Sequence, residues 1–151
     1  MLWRISNHRD LAGLGGEKTD GRWHTAARGK RIVYLSEHPA LALVEALANL
    51  KGNPKLFPDS YQLIRISVAA SVSNEVLGEN TLSDTWREGF PETRSAGDSW
   101  LASSRSALLT VPSGPSPESL NYLFNPRHKD ARGLSMDWHR TICYDKRLFH
   151  I

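Results

Sequence analysis

Three side chains in the first third of this chain form a combination suited to chemistry on a phosphorylated sugar. Arg22 stands in Gly21-Arg22-Trp23, Tyr34 in Val33-Tyr34-Leu35-Ser36, and Glu45 closes Ala40-Leu41-Ala42-Leu43-Val44-Glu45. A guanidinium offers phosphate oxygens a forked pair of hydrogen bonds that lysine cannot reproduce. A tyrosine ring can lie against a departing base, or its hydroxyl can touch a ribose. A carboxylate stabilises the cationic character that a sugar develops as its glycosidic bond breaks. Held together, the three would grip a dinucleotide by its phosphates and promote loss of its base. If that base leaves as a neutral molecule, the reaction needs no metal and no strong leaving-group acid, only a site complementary to the transition state.

The elements that must position them can be read from pattern. Leu2 to Ile5 reads as a first strand, and Ala12 to Gly16 with Asp20-Gly21 as a flexible glycine-rich loop. Arg22-Trp23-His24 is expected to be briefly extended, and the β-branched and aromatic run Arg31 to Leu35 to be a strand carrying Tyr34. Ser36-Glu37-His38-Pro39 has helix-start chemistry, with Ser36 as a capping-type residue and Pro39 in the first turn. Ala40, Leu43, Val44, Leu47 and Leu50 recur at helical spacing and define the expected buried stripe, which ends by Gly52 and Pro54 and has Glu45 on its border. A carboxylate beside an apolar stripe needs a partner or a polar cleft to offset desolvation, so Glu45 is the strongest candidate of the three.

Further along, Tyr61 to Val68 alternates as a strand, and Leu77 to Trp86 reads as irregular connection with at most one helical turn. Gly97 to Leu101 leads into a helix reaching Ser104, and Ala107 to Pro112 is a buried strand. A loop at Ser113 to Pro117 and the segment Asn121 to Phe124 precede the turn Asn125-Pro126, and Arg147 to Ile151 is expected to close the sheet. Strands and helices are interspersed without a βαβ rhythm, which predicts an α+β fold, a compact mixed sheet with flanking helices.

The 151 residues, 40% of them hydrophobic, suit one domain covering 1–151. The net charge of +3 comes from 19 basic against 16 acidic side chains dispersed along the chain, which suits a small phosphate-bearing ligand or an acidic partner. No basic stripe interleaved with aromatics supports direct binding of nucleic acid, so an RNA-binding or RNA-cleaving role is the more distant alternative. Cys143 is the single cysteine, no Cys/His grouping has metal-site spacing, and Cys143 beside Ile142 reads as a small hydrophobe. No signal-like or membrane-spanning segment stands out, so the expected location is the cytoplasm, away from the membrane.

The order and spacing of Trp3-Arg4-Ile5, Gly21-Arg22-Trp23, Val33-Tyr34-Leu35-Ser36, Pro39 to Glu45, Trp100-Leu101, Ser106-Ala107-Leu108, Val111-Pro112-Ser113 and Asn125-Pro126 resemble the RES domain family over nearly the whole chain. The chain departs at His24, where that family often has asparagine. The resemblance implies a toxin of a toxin–antitoxin pair, with a fold like that of the diphtheria-type ADP-ribosyltransferases. It implies cleavage of the nicotinamide–ribose bond of NAD+ by hydrolysis or phosphorolysis, with NAD+ as substrate and no resident cofactor. Transfer of ADP-ribose to a protein is the alternative, and an inactive scaffold that only binds an antitoxin is a third reading. The implied partner is an Xre-like helix-turn-helix antitoxin that masks the site.

On this reading Arg22, Tyr34 and Glu45 are the catalytic set, and Arg4 on the first strand is a second phosphate anchor. Ser106, matching the family serine, would bond the nicotinamide amide or a phosphate, its alternative being a cap between helix and strand. Asn125 reads most simply as a turn former, with substrate contact as the alternative.

Overall fold

The computed structural model describes residues 1–50, 53–56 and 58–149. Among them, seven strands form one mixed sheet: β1 (Leu2–Ser6), β2 (Val33–Ser36), β3 (Ser60–Val68), β4 (Asn74–Val76), β5 (Leu108–Pro112), β6 (Leu120–Phe124) and β7 (Leu134–Cys143). Their order is β4-β5-β6-β2-β1-β3-β7, and only the β4–β5 pair is parallel. Two helices, α1 (Pro39–Asn49) and α2 (Pro91–Ser103), complete the α+β architecture expected from the pattern.

β5 is the innermost strand in chemical terms, since all five of its residues are buried. Leu108 joins a cluster with Leu2, Val33, Leu35, Ile64, Ile66, Phe124 and Leu134, while Leu109 and Val111 join Trp23, Ile32, Trp86, Trp100 and Leu123. A strand covered on both faces reads as a continuous apolar run, which is why Ala107 to Pro112 was legible as buried. The second cluster binds α2, through Trp100, to the loop that bears Arg22.

Several local expectations are corrected. Arg22-Trp23-His24 is a bend, not an extended segment, because Gly21 N–H donates to His24 O at 3.1 Å and closes the loop on itself. Ser36 ends β2, and the helix cap is His38, whose Nδ1 accepts from Ala40 N–H at 3.1 Å, with Pro39 in the first turn. α1 is also turned from the expected stripe. It buries Leu41 and Ala42 and leaves Ala40 and Val44 exposed. Alanine at 40, 42, 46 and 48 makes the helix apolar on nearly every side, so the period could not choose its face. The small Ala42 and Ala46 instead admit close packing on β1 and β2, and this orientation turns Glu45, and the more exposed Asn49, toward the cleft.

α2 begins at Pro91, well before the expected Gly97, with proline at its first position. The sheet edge is β7, and the expected closing strand is replaced by a helical turn over Lys146–Phe149. His150 and Ile151 lie outside the described residues, as does Gly52.

Candidate active site

A cleft of about 380 Å³ opens between α1, the ends of β1 and β2, and the glycine-rich loop. Arg4, Arg22, Tyr34 and Glu45 all line it, together with Asn49, Gly114 and Asn121. Its volume lies within the usual range for small-molecule sites.

Glu45 reaches the cleft from the inward face of α1. Its Oε1 accepts from Ser113 Oγ at 2.7 Å and from Asn121 Nδ2 at 2.5 Å. Because a carboxylate bonded this way accepts, the Asn121 amide must turn its NH2 toward Glu45, and its Oδ1 then accepts from Ser36 Oγ at 2.8 Å. Ser113 Oγ in turn accepts from Ser116 N–H. Both bonds to the carboxylate fall on Oε1, so Oε2 has no hydrogen-bond donor among the described residues and remains available to a ligand.

Arg22 is held by the backbone of a helical turn over Trp86–Glu88 and the residue after it. Nη1 donates to Trp86 O and Gly89 O at 3.4 and 3.3 Å, and Nη2 to Arg87 O at 3.5 Å. A guanidinium has five N–H donors. The two left over, Nε–H and one Nη2–H, share one edge and form the fork that an anion prefers. Gly114 keeps that edge open, since a Cβ there would stand 2.9 Å from Nε. The cation also lies over Phe90, 4.8 Å from the ring centre. Burial lowers the Arg22 pKa from its ordinary value; negative Glu45 opposes the shift, and Arg94 and Arg87 add to it. Arg4, on β1, has its pKa lowered by burial and donates to Asp10 O.

Tyr34 lines the cleft, and its hydroxyl is bonded within the protein. Its hydroxyl accepts from Trp23 N–H at 3.1 Å and lies 2.7 Å from His24 Nδ1. His24 Nε2 is 3.0 Å from Gly16 O, an acceptor only, so that nitrogen carries the proton. Nδ1 of the neutral ring must then accept from the Tyr34 hydroxyl. Burial favours this arrangement on both sides, lowering the His24 pKa and raising that of Tyr34 far above its ordinary value. Tyr34 therefore latches the loop bearing Arg22 to β2, and His24 extends the latch to the glycine-rich loop. Gly21 is required beside it, because a Cβ there would collide with the Tyr34 hydroxyl.

Two expected contacts lie elsewhere. Ser106 is buried away from the cleft, where Oγ accepts from Trp100 Nε1 at 2.8 Å and donates to Leu108 O at 2.8 Å. Its role is to tie α2 to β5, close to the structural alternative. Ser106→Ala is expected to destabilise the fold by about 1–2 kcal/mol, since it strands a buried indole N–H. Urea denaturation would measure this, and an unchanged midpoint would contradict it. Asn125 is also buried outside the cleft; its Oδ1 accepts from Arg127 N–H at 3.0 Å and shapes the turn after β6.

Conversely, residue patterns alone missed Ser113, Asn121, Ser36 and His24. Ser113 ends a strand-proline-serine signal that was present in the chain, whereas Asn121 had no signal beyond its place at the start of a strand.

The RES domain family pattern matches residues 1–144. The toxin Res of Pseudomonas putida KT2440 is 38% identical over 149 residues, with 99% of each chain covered. The Prs ADP-ribosylating toxin of Sphingobium sp. strain YBL2 is 37% identical, with 97% of this chain and 95% of that one covered. In fold, the chain resembles a solved M. tuberculosis structure, the MbcT–MbcA toxin–antitoxin complex, with a TM-score of 0.74 at 16% identity, covering 94% of this chain and 83% of that one. Matched along almost its whole length by this pattern and by two full-length toxins, the chain belongs to the RES domain family.

Proposed function

We propose that the protein is a toxin that cleaves the nicotinamide–ribose bond of NAD+ and depletes the cytoplasmic pool. The observation that carries this reading is the pairing, in one cleft, of a carboxylate fastened through a single oxygen with an arginine whose fork edge is open. Arg22, with Arg4 in the same cleft, holds the diphosphate. Glu45 Oε2 faces the ribose of the nicotinamide half. As the C1′–N bond breaks, its electron pair returns to the pyridinium nitrogen and nicotinamide leaves neutral, while positive charge grows on the sugar next to Glu45. Water or phosphate then bonds to C1′ and gives up a proton to solvent. Ser113 and Asn121 act before the chemistry, by preventing the carboxylate from turning away.

Tyr34 supports this as a positioning residue. Tyr34→Phe keeps the ring but removes the latch, and is expected to lower kcat/KM for NAD+ by roughly 10- to 100-fold through displacement of Arg22. Tyr34→Ala is expected to lose more. Equal, near-normal activity of the phenylalanine variant would show that the hydroxyl positions nothing.

The deciding experiment is purified protein with NAD+, with and without phosphate, its products identified by mass. Free ADP-ribose indicates hydrolysis, and a phosphorylated ADP-ribose indicates phosphorolysis. Unchanged NAD+ under all conditions would overturn the reading. Transfer of ADP-ribose to a protein is the second reading, supported by the name of the Sphingobium relative; a mass increase on a cellular protein would favour it. An Xre-like antitoxin that covers the cleft would compete with NAD+, and turnover unaffected by saturating antitoxin would contradict that mode of control.

A further inference from the structure

His24 is 2% exposed, and both nitrogens of its neutral ring are engaged: Nε2–H donates to Gly16 O, and Nδ1 accepts from the Tyr34 hydroxyl. The tyrosine oxygen also accepts from Trp23 N–H. One uncharged ring thus ties three segments together, the glycine-rich loop, the loop that bears Arg22, and β2. A Cβ on Gly21 would collide with the Tyr34 hydroxyl and stand 2.8 Å from His24 Nδ1, so backbone closes over the junction.

A second proton on the ring reverses the sense of its bond to Tyr34. Nδ1–H becomes a donor, facing a hydroxyl that already donates across the same 2.7 Å. The phenol proton must then turn away, and among the described residues the only other group bonded to that hydroxyl is Trp23 N–H, itself a donor. A buried donor is left unpaired beside a buried cation, and both are costly. The surrounding charges do not compensate. Among the described residues no carboxylate forms an ion pair with His24: Asp98 on α2 is paired with Lys30 at 2.9 Å, and Asp20 accepts from Ala26 N–H at 2.7 Å. Asp98 and Asp20 draw a proton toward the ring and Lys30 repels it, but burial is the largest influence and keeps the ring neutral. On the Tyr34 side stand Arg94 of α2, Arg22 and Glu45 of α1, two cations against one anion.

We propose that His24 is a positioning residue whose neutral ring holds the cleft in shape, and that a proton on Nδ1 loosens the Arg22 loop from β2 and weakens the hold on a diphosphate ligand. The unfolded chain takes up that proton near the ordinary histidine pKa of about 6.5, whereas burial lowers the value in the folded protein. Unfolding is therefore accompanied by proton uptake in acid, so the latch contributes fully above that pH and is lost progressively below it. The proposal rests on the NAD+ reading only for the choice of ligand.

The experiment compares the unaltered protein with His24→Asn at about pH 7.5 and about pH 5.5, one unit either side of the ordinary histidine pKa. Asparagine sets an amide oxygen near the place of Nδ1, where it accepts from Tyr34 at either pH. On acidification the folding equilibrium constant, from urea denaturation, is expected to fall up to about tenfold further in the unaltered protein than in the variant. Affinity for ADP-ribose, measured by calorimetry, is expected to fall further too, by a factor the same linkage limits to about ten. Equal pH dependence of folding in the two proteins would overturn the proposal. A difference in folding with none in ADP-ribose affinity would also overturn it, by making His24 structural only, as would absence of ADP-ribose binding by the unaltered protein. Should the variant fail to fold, NMR titration of the unaltered protein decides: His24 is expected to keep its Nε2–H form and titrate below its ordinary value, and titration at or above that value would defeat the idea. If ADP-ribose affinity depends on His24 in this way but NAD+ is not cleaved, the latch stands and the proposed reaction falls.

Discussion

Glu45→Gln is expected to lower kcat for NAD+ cleavage by about 10³-fold, with product formation followed by mass. Glutamine is nearly isosteric, and its Oε1 can still accept from Ser113 Oγ and Asn121 Nδ2, the two donors that hold the carboxylate. What changes is the group facing the ligand. An anion opposite the developing sugar cation becomes an amide, and the charge complementarity that separates transition state from ground state disappears. KM should change little, because in the proposed mode the diphosphate is held by Arg22 and Arg4, which the substitution leaves in place. Stability should shift by no more than about 0.5 kcal/mol, as for a substitution that breaks no buried contact. Activity within tenfold of the unaltered protein would remove Glu45 from the chemistry. Loss of activity together with loss of the folded state would assign it to structure instead.

The second large effect is expected from a residue that touches no ligand. Gly97 lies in α2 against the backbone of Trp23, and a Cβ at this position would overlap the Trp23 carbonyl. Neighbouring residues of α2 fasten the same loop: Thr93 Oγ1 donates to Arg22 O at 2.6 Å, and Arg94 Nε to Gly21 O. Gly97→Ala must push α2 away from the loop or distort it, and neither backbone can yield as a flexible side chain would. The expected cost is about 3 kcal/mol, seen as a fall of about 10 °C in Tm. Displacing the loop also moves Arg22, so kcat/KM should fall even at temperatures where the variant is folded. A variant with unaltered Tm would show that the close approach of α2 to Trp23 is not required.

Elements whose pattern arises from solvent contact were legible in the chain. β3 alternates because one of its faces is more deeply buried, and β5 is uniformly apolar because both are covered. Edges and faces were harder. β7, ten residues long and largely exposed, alternates only over Leu134, Met136 and Trp138 before Arg140 breaks the pattern, and β4 is only three residues long. The rotation of α1 was hidden by its alanines, although its position and length were not.

The apolar neighbours of Glu45 singled it out as a carboxylate in need of a polar cleft, whereas Arg4, Arg22 and Tyr34 were nominated by their place in the RES family pattern, since an arginine or a strand tyrosine taken alone is more often a surface or core residue. Their gathering in one cleft, the demotion of Ser106 to an α2–β5 tie, and the recruitment of Ser113, Asn121 and Ser36 around Glu45 depended on the sheet. Pairing of β2 with β6 sets Ser36 opposite Asn121, 85 residues away in the chain. Local composition encodes what a side chain can do, whereas hydrogen-bond partners so distant along the backbone are selected only when strand order and register bring them within 3 Å.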